Sequence, residues 1–219
     1  MGEPHAKQPS HEAFVPASTI ELRVQQAWTE LGRGVHDRKH GFHLPTLCTL
    51  DAQGLPDARV VVLRKAVREQ AQLLMHTDVR SDKARVLLSL PGCTGPCTIV
   101  FYDVARRLQL RVHGSLTLHT QGALVANQWA ASSLSSRRCY LAPHAPGSVQ
   151  AGEDCNLPEQ LRGKTPTPDE ARAGKDNFAV LACIIARIDM LHLGAMGHSR
   201  CEWHHGETGG VRQERWLSP

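Results

Sequence analysis

The residues best equipped for chemistry are cations placed at the ends of apolar runs. Arg80, Ser81 and Lys83 stand together in His76-Thr77-Asp78-Val79-Arg80-Ser81-Asp82-Lys83, with Ser81 just ahead of a helical pattern. A helix start presents outward N–H groups with partial positive charge, and neighbouring cations add to it, so this group suits a phosphate. Upstream, Arg59 and Arg64 bracket Val60-Val61-Val62-Leu63, which reads as one strand with cationic ends. Side chains alternate along a strand, so Arg59 and Arg64 point to opposite faces and grip one phosphate only if the strand bulges. Downstream, Gln109, Arg111 and His113 alternate with Leu108, Leu110 and Val112, the period of a half-buried strand. The amide of Gln109 both donates and accepts.

The elements that must position these groups follow from the pattern around them. Residues 1–17, with Pro4, Pro9 and Pro16, read as a flexible N-terminal arm, and 18–219 as a single domain. Ser18 and Glu21 predict a capping box for a helix whose apolar face is Ile20, Val24, Ala27, Trp28, Leu31 and Val35. Strands are expected over 45–50 and 58–63, joined by the turn Asp51-Ala52-Gln53-Gly54, and over 71–76. A helix over 81–90 would turn Ala84, Leu87 and Leu88 inward and stop at Pro91-Gly92. Strands at 98–102 and 108–118 precede a helix over 121–132 capped by Thr120. The polar stretch 148–176 reads as a long surface loop. Strands are then expected at 178–188, 191–193, 200–204 and 211–217, the last two joined by a hairpin turn at 206–210. Short strands and hairpin turns favour a mainly β (α+β) chain, an antiparallel barrel with peripheral helices.

Composition narrows the function. At 41% apolar residues, the 219-residue chain can build a core. A net charge of +4 fits small anions and does not call for nucleic acid; 5% aromatic residues is too few for a base-stacking platform. No apolar run is long enough to span a bilayer and the N-terminus lacks a signal-peptide core, so a cytoplasmic location away from membranes is expected. The seven cysteines are scattered and read as reduced thiols; Cys93 and Cys97 lack the redox spacing. On an extended strand His198 and His204 would lie about 20 Å apart, so no metal site is expected there.

Taken in order, Arg-x-Val-Val-x-Arg at 59–64, Thr-Asp-x-Arg-Ser-x-Lys at 77–83 and the Gln109 strand resemble the pyridoxamine 5'-phosphate oxidase family of split-barrel flavoproteins. They are most similar to the branch of FMN-binding proteins related to that oxidase. The resemblance continues through Trp129, Ser135-Ser136-Arg137, Pro146-Gly147, Asp189-x-Leu191-x-Leu193, His198-x-Arg200 and the ending Trp216-Leu217-Ser218-Pro219. It implies an antiparallel split β-barrel, FMN as cofactor, a homodimer and a small-molecule substrate. It places Arg59, Arg80, Ser81 and Lys83 on the FMN phosphate. Val60, Val61, Val62, Leu63, Arg64, His76, Thr77, Gln109, Ser135 and Arg200 then surround the rest of the cofactor. Arg64, Arg137 and His198 face the substrate.

The chain also departs from the family pattern. Leu191 replaces a Trp ahead of Arg200. Residues 121–129 carry neither the Tyr nor the Arg with which true oxidases grip the substrate phosphate, and Gly197-His198-Ser199 stands where they have Arg-Leu-His. The implied activity is an FMN-dependent, oxidase-like oxidoreductase acting on a CH–NH2 or related donor, with an altered substrate site. No residue stands out as a general base. The alternative is a flavin- or haem-binding split barrel without turnover.

Overall fold

The structure, a computed structural model, describes residues 14–206 and 210–219. Strands β1 (Thr46–Leu50), β2 (Pro56–Val60), β3 (Leu63–Val67), β4 (Gln72–Asp78), β5 (Thr94–Asp103), β6 (Leu108–His119) and β7 (Phe178–His192) form one sheet in the order β2-β1-β5-β6-β7-β4-β3. Strands β8 (Ser199–His205) and β9 (Val211–Leu217) extend it from β7. All pairings are antiparallel.

The two edges of the seven-strand path, β2 and β3, are consecutive in the chain and separated only by Val61 and Val62. So short a link spans at most about 11 Å. The sheet therefore curls until its edges nearly meet, yet β2 and β3 do not pair. The result is a barrel open along one seam, the split barrel expected. Inside it pack Leu47, Met75, Ile99, Val112, Leu181, Ile188 and Trp203, each fully buried side chain contributing about 1.5–3 kcal/mol. Helix α1 (Ile20–His36) adds Val24, Trp28 and Leu31 to this core. A second cluster, Leu74, Val125, Trp129, Tyr140, Phe178 and Val180, lies under helix α3 (Ala123–Ala131).

Several boundaries differ from expectation, each for a physical reason. The first helix is capped by Thr19, whose side chain accepts from the Leu22 N–H at 3.4 Å, not by Ser18. In α2 (Asp82–Ser89) Ala84 and Leu87 are buried but Leu88 is exposed. Helix α3 starts at Ala123 because Gly122 adopts φ +94°, a conformation glycine tolerates, so Thr120 does not cap it. Strand β7 is one strand of 15 residues rather than two. Its first half is buried almost throughout, so the alternation that marks a half-exposed strand is missing. Gly114 allows the β6–β7 register shift after His113: a Cβ there would sit 2.1 Å from the Ile184 carbonyl oxygen.

The segment 148–176 carries two short helical turns, Glu159–Leu161 and α5 (Pro168–Arg172), pinned by buried Leu161 and Ala171. Of the N-terminal arm, residues 1–13 lie outside the described residues. Ala17 and Val15 are bonded to the Gln26 side chain, and Arg23 Nε donates to the Ala17 carbonyl at 2.6 Å. Of the expected turn at 206–210, residues 207–209 lie outside the described residues; the Gly206 N–H donates to the Gly210 carbonyl at 2.8 Å. No helix among the described residues is long and apolar enough to cross a membrane.

Candidate functional site

Arg59 is the penultimate residue of edge strand β2 before the seam, in register with core-facing Leu47. Its Nη1 donates to Thr49 Oγ1 at 2.7 Å and to the Leu47 carbonyl at 3.4 Å, and its Nη2 is ion-paired with Asp57. The run from Arg59 to Arg64 is not the single strand its composition predicts. The chain leaves the sheet at Val61 and Val62 and re-enters at Leu63 on the opposite edge, with a register shift between Leu63 and Lys65. Four apolar β-branched or branched residues satisfy strand propensity locally, whereas the break is imposed by closing the barrel.

Strand β4 ends at Asp78 and α2 begins four residues later at Asp82, which brings Ser81 and Lys83 to the same end of the barrel. Ser81 Oγ donates to the Asp78 carbonyl at 2.8 Å, meets Thr77 Oγ1 at 3.2 Å and accepts from Lys83 Nζ at 3.3 Å. That hydroxyl is thus engaged beneath the helix and does not cap its first turn. The Lys83 ammonium has no carboxylate at ion-pair distance among the described residues. Burial lowers its pKa and the charge of Arg59 lowers it further, against weaker opposition from Asp78, Asp57 and Asp82. A cleft of about 870 Å³ between the β1–β2 hairpin and α2 opens beside Asp57 and Lys83. Arg80 is committed elsewhere: Nε and Nη2 bind the Asp78 carboxylate at 3.0 and 2.7 Å, and Nη2 also reaches the Ala142 carbonyl.

Arg64 parts company with Arg59. It lies near His76 and Tyr140, and its Nε is buried without a hydrogen-bond partner. His76 Nε2 donates to Gln128 Oε1 at 3.0 Å and packs edge-on against Phe178. Burial, with Arg64 adding, lowers the His76 pKa to about 4, so the ring is neutral near pH 7. Burial likewise pushes the Tyr140 phenol up. Arg137, on the short helix α4 (Leu134–Arg137), donates to the carbonyls of Trp129 and Ala130 and stacks over the Trp129 ring at 4.9 Å. It closes the end of α3. Ser135 is exposed and bonded to Ser133.

Gln109 and Arg200 lie elsewhere. Tyr102, Gln109, Leu191 and Arg200 form one row across β5, β6, β7 and β8, on the face opposite the buried Leu108 and Leu110. Arg200 Nη2 binds Asp189 Oδ2 at 2.7 Å, and Arg111 binds the same oxygen at 2.5 Å. Asp189 is 2% exposed; burial raises its pKa, but the bonds from Arg200 and Arg111 reverse this and leave it below the usual range. Next to it, Glu202 pairs with Arg215 at 2.5 Å and with Arg187 and His204 at 3.4 Å. His198 is exposed at the entry to β8. Arg59 lies in the Leu47–Ile99–Val112 row, three residues along β6 from Gln109, but on the face of those buried residues, whereas Gln109 lies on the opposite face. One chain therefore gathers Arg59, Ser81 and Lys83, and separately Gln109 with Arg200, without uniting the two sets.

The aspartates that answer these arginines were missed in the sequence, although a signal existed. Asp-x-Arg occurs at 57–59 and again at 78–80, and in each case the carboxylate binds the guanidinium.

Residues 25–120 match the family described as pyridoxamine 5'-phosphate oxidase, FMN-binding domain. This stretch holds the 59–64 and 77–83 motifs and Gln109, and stops short of Ser135, Arg137 and Arg200. A pyridoxine/pyridoxamine 5'-phosphate oxidase of Chromohalobacter salexigens is 32% identical over 99 residues, 45% of this chain and 41% of that protein. The match thus spans less than half the length of that relative. Among solved structures, a pyridoxamine 5'-phosphate oxidase-related, FMN-binding protein from Nostoc punctiforme superposes with a TM-score of 0.65 at 21% identity, over 95% of this chain and 100% of the other. PhzG from Burkholderia lata, in complex with tetrahydrophenazine-1-carboxylic acid, gives 0.57 at 15% identity over 100% of both chains. At such identities the likeness is one of fold. Residues 25–120 are thus similar in sequence to the pyridoxamine 5'-phosphate oxidase FMN-binding domain, and over nearly its whole length the chain shares the split-barrel fold of these structures.

Proposed function

We propose that this chain binds FMN and acts as an oxidoreductase on a small substrate, with two copies completing each site. The observation that carries this reading is Lys83: a half-buried ammonium beside a second cation, Arg59, with a serine hydroxyl and, among the described residues, no carboxylate at hydrogen-bond distance. Two cations held together and partly desolvated are relieved by an anion between them. Lys83, Arg59 and the uncapped first turn of α2 would hold the cofactor phosphate, each charge-assisted bond contributing about 1.5–3 kcal/mol. The family's FMN-binding domain supports flavin binding in general.

A bound flavin supplies two-electron redox chemistry; the protein binds and orients it. At the seam, β2 and β3 leave edges that do not pair with each other, so part of the backbone from Val60 to Leu63 is left for a ring edge, the Val61 N–H being already donated to the Pro45 carbonyl. The buried, unpartnered Nε of Arg64 and the neutral His76 face an incoming substrate in this reading. Gln109 and Arg200 lie on the far face of the sheet, so their contribution to a flavin site would come from a second copy. A twofold homodimer provides that arrangement and is the commonest closed oligomer. The donor class is CH–NH2 or a close relative. A second reading, flavin binding without turnover, is favoured by Arg80, Arg137 and Arg200 already having partners within the chain.

The test is the visible spectrum of the purified protein, with identification of any released chromophore and titration with FMN. A flavin spectrum, or FMN uptake with Kd of about 10 μM or tighter, supports the reading. Colourless protein that takes up no FMN contradicts it.

A further inference from the structure

We propose that Asp57 competes with phosphate for Arg59 and yields it to an incoming phosphate, so that this one carboxylate sets how tightly the chain holds a phosphate monoester. The proposal rests on the phosphate reading above and names the residue that tunes it.

The geometry separates the two sides of the Arg59 guanidinium. Nη1 is tied to Thr49 Oγ1 and the Leu47 carbonyl, which fix the group to the sheet. Nη2 is tied to Asp57. Asp57 and Lys83 line the same cleft, so the edge of Arg59 that binds Asp57 is the edge through which a phosphate shared with Lys83 would be gripped. The two residues are two apart on edge strand β2, where side chains share a face, so the contact is built into the strand.

The other Asp-x-Arg pair behaves differently. Asp78 is 7% exposed, and it accepts from the Arg80 backbone N–H at 2.8 Å as well as from its side chain. That carboxylate is part of the loop that starts α2. The Asp57 side chain is 46% exposed, and among the described residues no other hydrogen-bond or ion-pair partner fixes its position beside Arg59, so it can turn to water when a competing anion arrives. A phosphate dianion next to an undisplaced carboxylate is repelled, and a displaced carboxylate gives up its bond to Arg59. Either way Asp57 weakens phosphate binding while leaving the rest of the ligand untouched.

The test compares FMN with riboflavin, which lacks the phosphate, by quenching of flavin fluorescence on the full chain. Asp57→Ala should tighten FMN by about 10-fold, Asp57→Asn by less, and riboflavin should stay within about twofold. In an Arg59→Ala background, Asp57→Ala should change FMN affinity by less than about twofold, because the contested group is gone. Thermal unfolding confirms that each variant is folded. An unchanged FMN affinity in both Asp57 variants would overturn the proposal, as would an equal gain without Arg59, which would mean general repulsion. If Arg59→Ala and Lys83→Ala leave the FMN-to-riboflavin ratio unaltered, the phosphate reading itself fails, a result distinct from either.

Discussion

Two regions of this molecule collect cations, and they do so on opposite terms. On the outer face of β6, β7 and β8, Asp189 and Glu202 are buried and answered by Arg111, Arg200, Arg187 and Arg215. At the seam, Arg59 and Arg80 each have an aspartate two residues earlier, but among the described residues Lys83 has only the Ser81 hydroxyl at hydrogen-bond distance. The difference teaches where to look for a ligand. Charges compensated inside the chain bear on stability, whereas a partly desolvated cation without a counter-ion marks a place where an external anion is worth most.

The comparison breaks most visibly at Asp189. Asp189→Ala leaves Arg111 and Arg200 without their shared carboxylate and should lower unfolding stability by about 3 kcal/mol, measured by urea denaturation. Lys83→Ala removes no ion pair and should stay within about 0.5 kcal/mol in the same assay. A tolerant Asp189 together with a destabilising Lys83 variant would invert the assignment of the two regions.

The seam should also provide one phosphate site rather than two. Arg137 is used to close α3, and residues 121–129 hold no Arg or Tyr. The chain should therefore turn over pyridoxamine 5'-phosphate more slowly than about 1 per second, well under typical enzyme rates. Oxygen consumption at saturating substrate measures this, and a rate at or above that value would restore a second phosphate grip.

A smaller effect concerns acid. His76 has its pKa lowered from 6.5 to about 4 in the folded chain, mainly by burial. Between those values the unfolded chain binds a proton that the folded chain does not, so stability should fall as pH drops from about 6.5 to about 4. His76→Gln should flatten that part of the profile in thermal melts, and an unchanged slope would remove His76 as its cause. Smallest of all, Ser135→Ala should shift FMN affinity by no more than about 0.5 kcal/mol, because the hydroxyl is exposed and bonded to Ser133. A loss of tenfold or more by fluorescence titration would instead give Ser135 a direct part in binding.

Much of this architecture was legible before the structure. The alternation of β6 and the turn at 51–54 announce themselves, as do the helix starts at Ser81 and near Thr19. The seam was hidden because Val60-Val61-Val62-Leu63 looks like an unbroken strand; only topology requires the chain to leave one edge there and rejoin the other. The pattern divides strand β7 in two because burial on both faces erases its period. For the site, Lys83, Arg59 and Ser81 were picked out as cations and a hydroxyl around a helix start. Their partners are less legible: Asp57 carries no signal beyond its spacing to Arg59, Asp78 stands inside the Thr-Asp-x-Arg motif without its pairing being evident, and Asp189 meets Arg111 and Arg200 through sheet register.

The central claim is that Arg59 and Lys83 form a phosphate site, and the most direct measurement is the ratio of FMN to riboflavin affinity in the parent chain and in Lys83→Ala. The account predicts that the parent prefers FMN by about 10-fold or more and that Lys83→Ala costs FMN about 1.5–3 kcal/mol while leaving riboflavin nearly unchanged. Equal affinity for the two flavins in the parent, or equal losses for both in the variant, would contradict it.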